Sequence, residues 1–88
     1  PHLMQGDVRF EPASALVSGV DGLDDLREVI NSSVKYLETF GWLLVEHGYR
    51  QGSAVRELFK AAGFITIETL TDFNQLERIT MGCLPKAD

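Results

Sequence analysis

Glu46 and His47 stand side by side at the end of an apolar run, in the stretch "GWLLVEHGYRQG", residues 41–52. A carboxylate next to an imidazole is the pairing that a general base and its orienting acid would use. The geometry of an extended chain argues against that use here. Neighbours on a strand point to opposite faces, so these two side chains cannot both aim at one atom. The simpler reading makes them wall residues. They mark the carboxyl end of a parallel strand, where open α/β sheets place their ligand crevice. They would line that crevice or hold the following loop by hydrogen bonds, with Gly48 supplying an unusual backbone angle.

Arg9, Phe10 and Glu11, in "VRFEP", are the second group. Loops carry binding residues out of proportion to their length. Arg9 and Glu11 either take part in binding or make a local ion pair or cap, and both readings stand open. Phe10 is an aromatic wall or an anchor of the loop on the core. The charges Arg56, Glu57 and Lys60 read as a solvated helix face. Cys83 alternates with core positions and behaves as a small hydrophobe. No spacing suggests a metal site or a nucleophile triad.

The elements that would position these residues follow from periodicity. Residues 1–20 show no clear period and read as a loop, with "SALVSG" a short extended piece or a turn of helix. Such a loop is long for a compact domain unless it is functional or taken out of its context. Residues 21–39 read as a helix: Asp21 is the N-cap, Asp24 and Asp25 suit the first turn, and Lys35 suits the last. Leu23, Leu26, Ile30, Val34 and Leu37 make its apolar face. Residues 42–47 are a strand, apolar without alternation, as expected of one covered on both faces. Residues 51–62 are a second helix, with Val55, Leu58, Phe59 and Ala62 buried and Gly63 at C′. Residues 64–71 and 77–83 are strands, with Ile65 and Ile67 on one face of the first and Ile79, Met81 and Cys83 on one face of the second. The order is loop-α-β-α-β-β in an α/β fold, with a parallel crossover and the last strand antiparallel.

Composition narrows the function classes. The 88 residues allow one small domain. A net charge of −5, with eight scattered basic residues, argues against direct nucleic-acid or anionic-membrane binding. The single cysteine excludes an internal disulfide and makes a reducing cytoplasm the default. No apolar run nears the roughly 18 residues of a membrane span.

The words "PHLMQGDVRFEP", "DGLDDLREVI", "GWLLVEHGYRQGSAVRELFKAAGF" and "ERITMG", in this element order, resemble the release factor glutamine methyltransferases. The likeness runs from Pro1 to about Gly82. It implies the C-terminal half of a Rossmann-like class I methyltransferase sheet, whose last strand inserts between the previous two. It implies S-adenosylmethionine as cofactor and a peptide-chain release factor as partner, methylated on a glutamine amide nitrogen. The family's catalytic word, Asn-Pro-Pro-Tyr, and its glycine-rich cofactor turn do not occur in these 88 residues. The chain therefore reads as a single partial domain, 1–88, with a loop over 1–20 and an α/β part over 21–84. It would begin as native sequence just past the catalytic word and be inactive alone. The resemblance puts Arg9, Phe10, Glu11, Glu46 and His47 at the substrate cleft and assigns no catalytic or cofactor-binding residue. Loss of the preceding strand would bare a sheet edge beside residues 42–47, leaving the chain either self-associated through that edge or a marginal monomer. The alternative is a small α/β interaction module without catalytic activity.

Overall fold

The computed structural model describes residues 7–11 and 13–85. In chain order they form strands β1 (Asp7–Glu11) and β2 (Ser14–Ser18), helix α1 (Leu23–Ser33), strand β3 (Trp42–Glu46), helix α2 (Gly52–Ala61), and strands β4 (Ile65–Thr71) and β5 (Glu77–Cys83). They make one sheet in the order β1-β2-β3-β5-β4, an α/β fold. β2 and β3 are parallel, and β5 lies between β3 and β4, antiparallel to both.

The segment read as a loop holds two strands, β2 being the short extended piece offered for "SALVSG" and β1 a strand where loop was expected. β1 and β2 pair as a tight antiparallel hairpin, from Asp7 opposite Ser18 to Glu11 opposite Ser14. Alternation in "SALVS" is the physical reason: Ala15 and Val17 are fully buried and Leu16 is exposed. This hairpin also corrects the expected open edge. β3 is hydrogen-bonded to β2 on one side and to β5 on the other, so β1 and β4 are the edge strands instead.

α1 is shorter than its apolar spacing predicts. Leu26, Val29 and Ile30 are buried, whereas Leu23 and Val34 are exposed. Gly22, not Asp21, is the N-cap, at φ 87°. At the other end Ser33 Oγ donates to the Ile30 carbonyl at 2.7 Å, a local bond that competes with helix continuation. α2 matches its pattern closely. Gly63 takes φ 97°, and its N–H reaches the Lys60 carbonyl while that of Phe64 reaches Phe59. That is a Schellman ending, and Phe64 packs its ring 5.1 Å from Phe59.

Both helices touch each other, and they cover one face of the sheet. Leu43 and Val45 of β3 are fully buried, while Trp42 and Leu44 are half-buried. β3 is therefore covered completely on one face only, contrary to the reading of its continuous apolar run. On β5 the buried alternate positions are Thr80 and Gly82, while Ile79 and Met81 are half-buried. A Cβ on Gly82 would stand 2.7 Å from Phe59 Cδ2, so a bare backbone is what lets α2 sit down on β5. The alternation expected of β4 breaks at a register shift between Ile65 and Glu68, with Thr66 at φ 54°. No helix among the described residues is long and apolar enough to cross a membrane.

Candidate functional site

β2 and β3 run parallel, so both end on the same side of the sheet. The turns that follow them lead into α1 and α2. Between these turns lies a cavity of ≈ 450 Å³, lined by Gly19, Val20, Asp21, Glu46, His47, Gly48, Gln51 and Arg78. It sits where ligand crevices form in such sheets, at the carboxyl ends of adjacent parallel strands.

Glu46 and His47 diverge as strand geometry requires: Glu46 is exposed and His47 is buried. His47 is held at both nitrogens. Its Nδ1 lies 2.8 Å from the Gly48 carbonyl, and its Nε2 lies 2.8 Å from Thr80 Oγ1. Its backbone N–H donates to the Arg78 carbonyl, fixing the strand end to β5. No nitrogen of this ring is left to take a proton from a ligand.

Gly48 is not at positive φ, contrary to expectation; Gly19, Gly22 and Gly63 are. Its small size has another cause. Gln51 folds back over it, its Oε1 accepting the Gly48 N–H at 2.8 Å. An added Cβ would lie only 3.3 Å from that oxygen.

Arg78 forms the far side of the cavity. Its Nε donates to Asp72 Oδ2 at 2.9 Å, and its guanidinium lies 5.7 Å from the Tyr49 ring centre. The Arg78 guanidinium holds the Asp72 carboxyl below the usual carboxylate range, aided by the N–H groups of Leu76 and Asn74. Asp21 and Glu46 differ from these residues. Both carboxylates are exposed at the cavity, and neither has a side-chain hydrogen bond or ion pair among the described residues. Among the described residues, no group of three His, Cys, Asp or Glu side chains is placed to hold a metal.

The other sequence candidates lie elsewhere. Arg9 and Glu11 are exposed on the edge strand β1 and do not line this cavity. Through the ladder, Glu11 pairs with Ser14 and Ser14 with Trp42, which places Glu11 at the opposite end of β3 from Glu46. Phe10 pairs with Ala15 on β1, and its side chain lies outside the described residues.

Arg56 was expected on a solvated face and is not there. It is half-buried, and its Nη1 donates to Thr69 Oγ1 at 2.9 Å and to Glu77 Oε2 at 3.2 Å. Glu57 and Lys60 do form an exposed pair. Sequence reasoning passed over Thr80, Gln51 and Arg78. The available signal for Thr80 was a polar β-branched residue alternating with Gly82 on a core strand.

No family model matches the chain. Curated relatives do match it. The chain is 58% identical over 82 residues to the release factor glutamine methyltransferase of Pseudomonas aeruginosa, covering 93% of this chain and 30% of that protein. It is 49% identical over 85 residues to that of Xylella fastidiosa, covering 97% of this chain and 31% of that protein. It is 49% identical over 82 residues to that of Escherichia coli, covering 93% and 30%. The chain thus spans about 30% of the length of the relatives it matches. Over nearly all of its own length the chain is similar to one segment of release factor glutamine methyltransferases.

Proposed function

We propose that this chain is the C-terminal part of the catalytic domain of a cytoplasmic protein-glutamine methyltransferase. The complete enzyme moves a methyl group from S-adenosylmethionine to the glutamine amide of a peptide-chain release factor. The supporting observation is identity of 49–58% spread over 93–97% of the chain. The cavity at the ends of β2 and β3 agrees with it in position. In this reading Glu46 and His47 are crevice wall, and Arg9, Phe10 and Glu11 are candidates for the substrate cleft of the complete enzyme, separate from this cavity.

An amide nitrogen is a poor nucleophile, because its lone pair is delocalised into the carbonyl. Its methylation depends on holding donor and acceptor in line. The residues described here shape one side of such a site. They do not fit the whole cofactor. Asp21 and Glu46 offer acceptors for a diol or an ammonium group, but Val20 is the one aliphatic side chain in the lining. No slot there would grip an adenine ring, so no cofactor step is assigned to these residues.

The test is methyl transfer from labelled S-adenosylmethionine. The full-length protein that carries this segment is expected to label the release factor on glutamine, and the 88-residue chain alone is expected to label nothing. Transfer by the chain alone would overturn the division of labour proposed here. No transfer by the full-length protein would favour the small interaction module instead.

A further inference from the structure

Behind the crevice, a line of polar side chains crosses from α2 through β4 and β5 to His47. Arg56 Nη1 donates to Thr69 Oγ1 at 2.9 Å. Thr69 Oγ1 and Thr80 Oγ1 are 2.9 Å apart. Thr80 Oγ1 and His47 Nε2 are 2.8 Å apart, and His47 Nδ1 is 2.8 Å from the Gly48 carbonyl oxygen. Thr80 is fully buried and His47 is nearly so.

Counting donors fixes the direction of every link. A carbonyl oxygen only accepts, so Nδ1 carries the proton. In the neutral ring Nε2 then has only a lone pair, and Thr80 must donate to it. A hydroxyl has one proton. Thr80 therefore has none left for Thr69, and Thr69 donates to Thr80. A guanidinium only donates, which agrees with the Thr69 oxygen accepting from Arg56. The links all point the same way, away from a cation, and such chains polarise one another. Glu77 holds the guanidinium at the head of the line.

We propose that Arg56, Thr69 and Thr80 are positioning residues that hold His47 as its Nδ1–H tautomer. The Nδ1 proton is thereby committed to Gly48, which fastens the turn at the crevice and takes His47 out of proton transfer. The inference rests on the crevice reading for its meaning in the enzyme, but its test does not use activity. The readout also separates positioning from packing, because a threonine that only fills space would leave the ring nitrogens unchanged.

The test uses the full-length protein that carries this segment, in which the His47 ring signals are those lost in a His47→Gln variant. Nitrogen-15 NMR of the labelled ring, at mildly alkaline pH, reports which nitrogen is protonated. The expected result is Nδ1–H, the reverse of the Nε2–H form that a free histidine side chain favours. Thr80→Val is expected to shift the Nε2 signal, and Thr80→Ser to restore it. Thr69→Val, which removes a group that never touches the ring, is expected to shift the same signal by a smaller amount. An Nε2–H ring or an equal mixture in the parent chain would overturn the proposal, whatever the variants do. An Nε2 signal that neither valine variant moves would overturn it as well. Failure of methyl transfer in the full-length protein would not alter these signals, so the two readings fail separately.

Discussion

The crevice joins two kinds of residue. His47, Gly48, Gln51 and Arg78 are fastened: each has a hydrogen-bond partner on a neighbouring element or within its own turn. Asp21 and Glu46 share the same cavity with no side-chain partner among the described residues. The fastened set is held in place by these bonds and gives the crevice its shape, with the Nη groups of Arg78 and the amide nitrogen of Gln51 outside those bonds. The two carboxylates are held by no such bond and are available to a ligand. The adjacent pair Glu46 and His47 is thus split between the two sets, although the sequence presents them as one constellation.

This contrast predicts a graded set of effects. Phe59→Ala attacks the packing beneath the fastened set, since Phe59 is fully buried and in contact range of Gly82. It should cost about 3–5 kcal/mol by denaturant unfolding. Thr80→Val should cost about 1–3 kcal/mol, because it leaves Nε2 of the buried His47 unpaired. Thr80→Ser should stay near the parent value. Glu46→Gln and Asp21→Asn should each move stability by no more than about 0.5 kcal/mol, as for surface sites without such features. If either carboxylate variant destabilised the chain as much as Thr80→Val, the division into two sets would be wrong.

The smallest effect concerns Asp72, whose carboxyl is held low by Arg78 and by the N–H groups of Leu76 and Asn74. Its folded pKa lies below the unfolded one. Its contribution is therefore complete above the unfolded pKa and fades as pH falls through the lowered folded value. An acid titration followed by the amide signals of the β4–β5 turn should show this late loss. Asp72→Asn should abolish it.

How much of this was legible depended on the range of the interaction. α2 was readable nearly to the residue, because its apolar stripe, Gly63 and Phe64 all act locally. α1 was overread: Val34 and Leu37 keep the helical spacing, but Ser33 turns onto the Ile30 carbonyl and the helix stops. The β1–β2 hairpin was missed because five-residue strands give a weak period, and Gly6, Asp7 and Pro12 resemble loop residues. At the site, the divergence of Glu46 and His47 followed from strand geometry alone. The Thr80 partner did not, because the two residues stand 33 apart in sequence and meet only when β5 inserts beside β3. The buried turn of Arg56 was hidden for the same reason: Thr69 and Glu77 arrive from distant strands.

The central claim is that these residues wall a methyltransferase crevice and do not carry proton transfer. Its most direct measurement is kcat and KM for methylation of the release factor by the full-length enzyme, parent against Glu46→Gln. The expected result is a raised KM with kcat kept within about tenfold, the mark of lost binding rather than lost chemistry. A fall in kcat of about 10²–10⁴ with KM unchanged, the size of a lost general base, would contradict it.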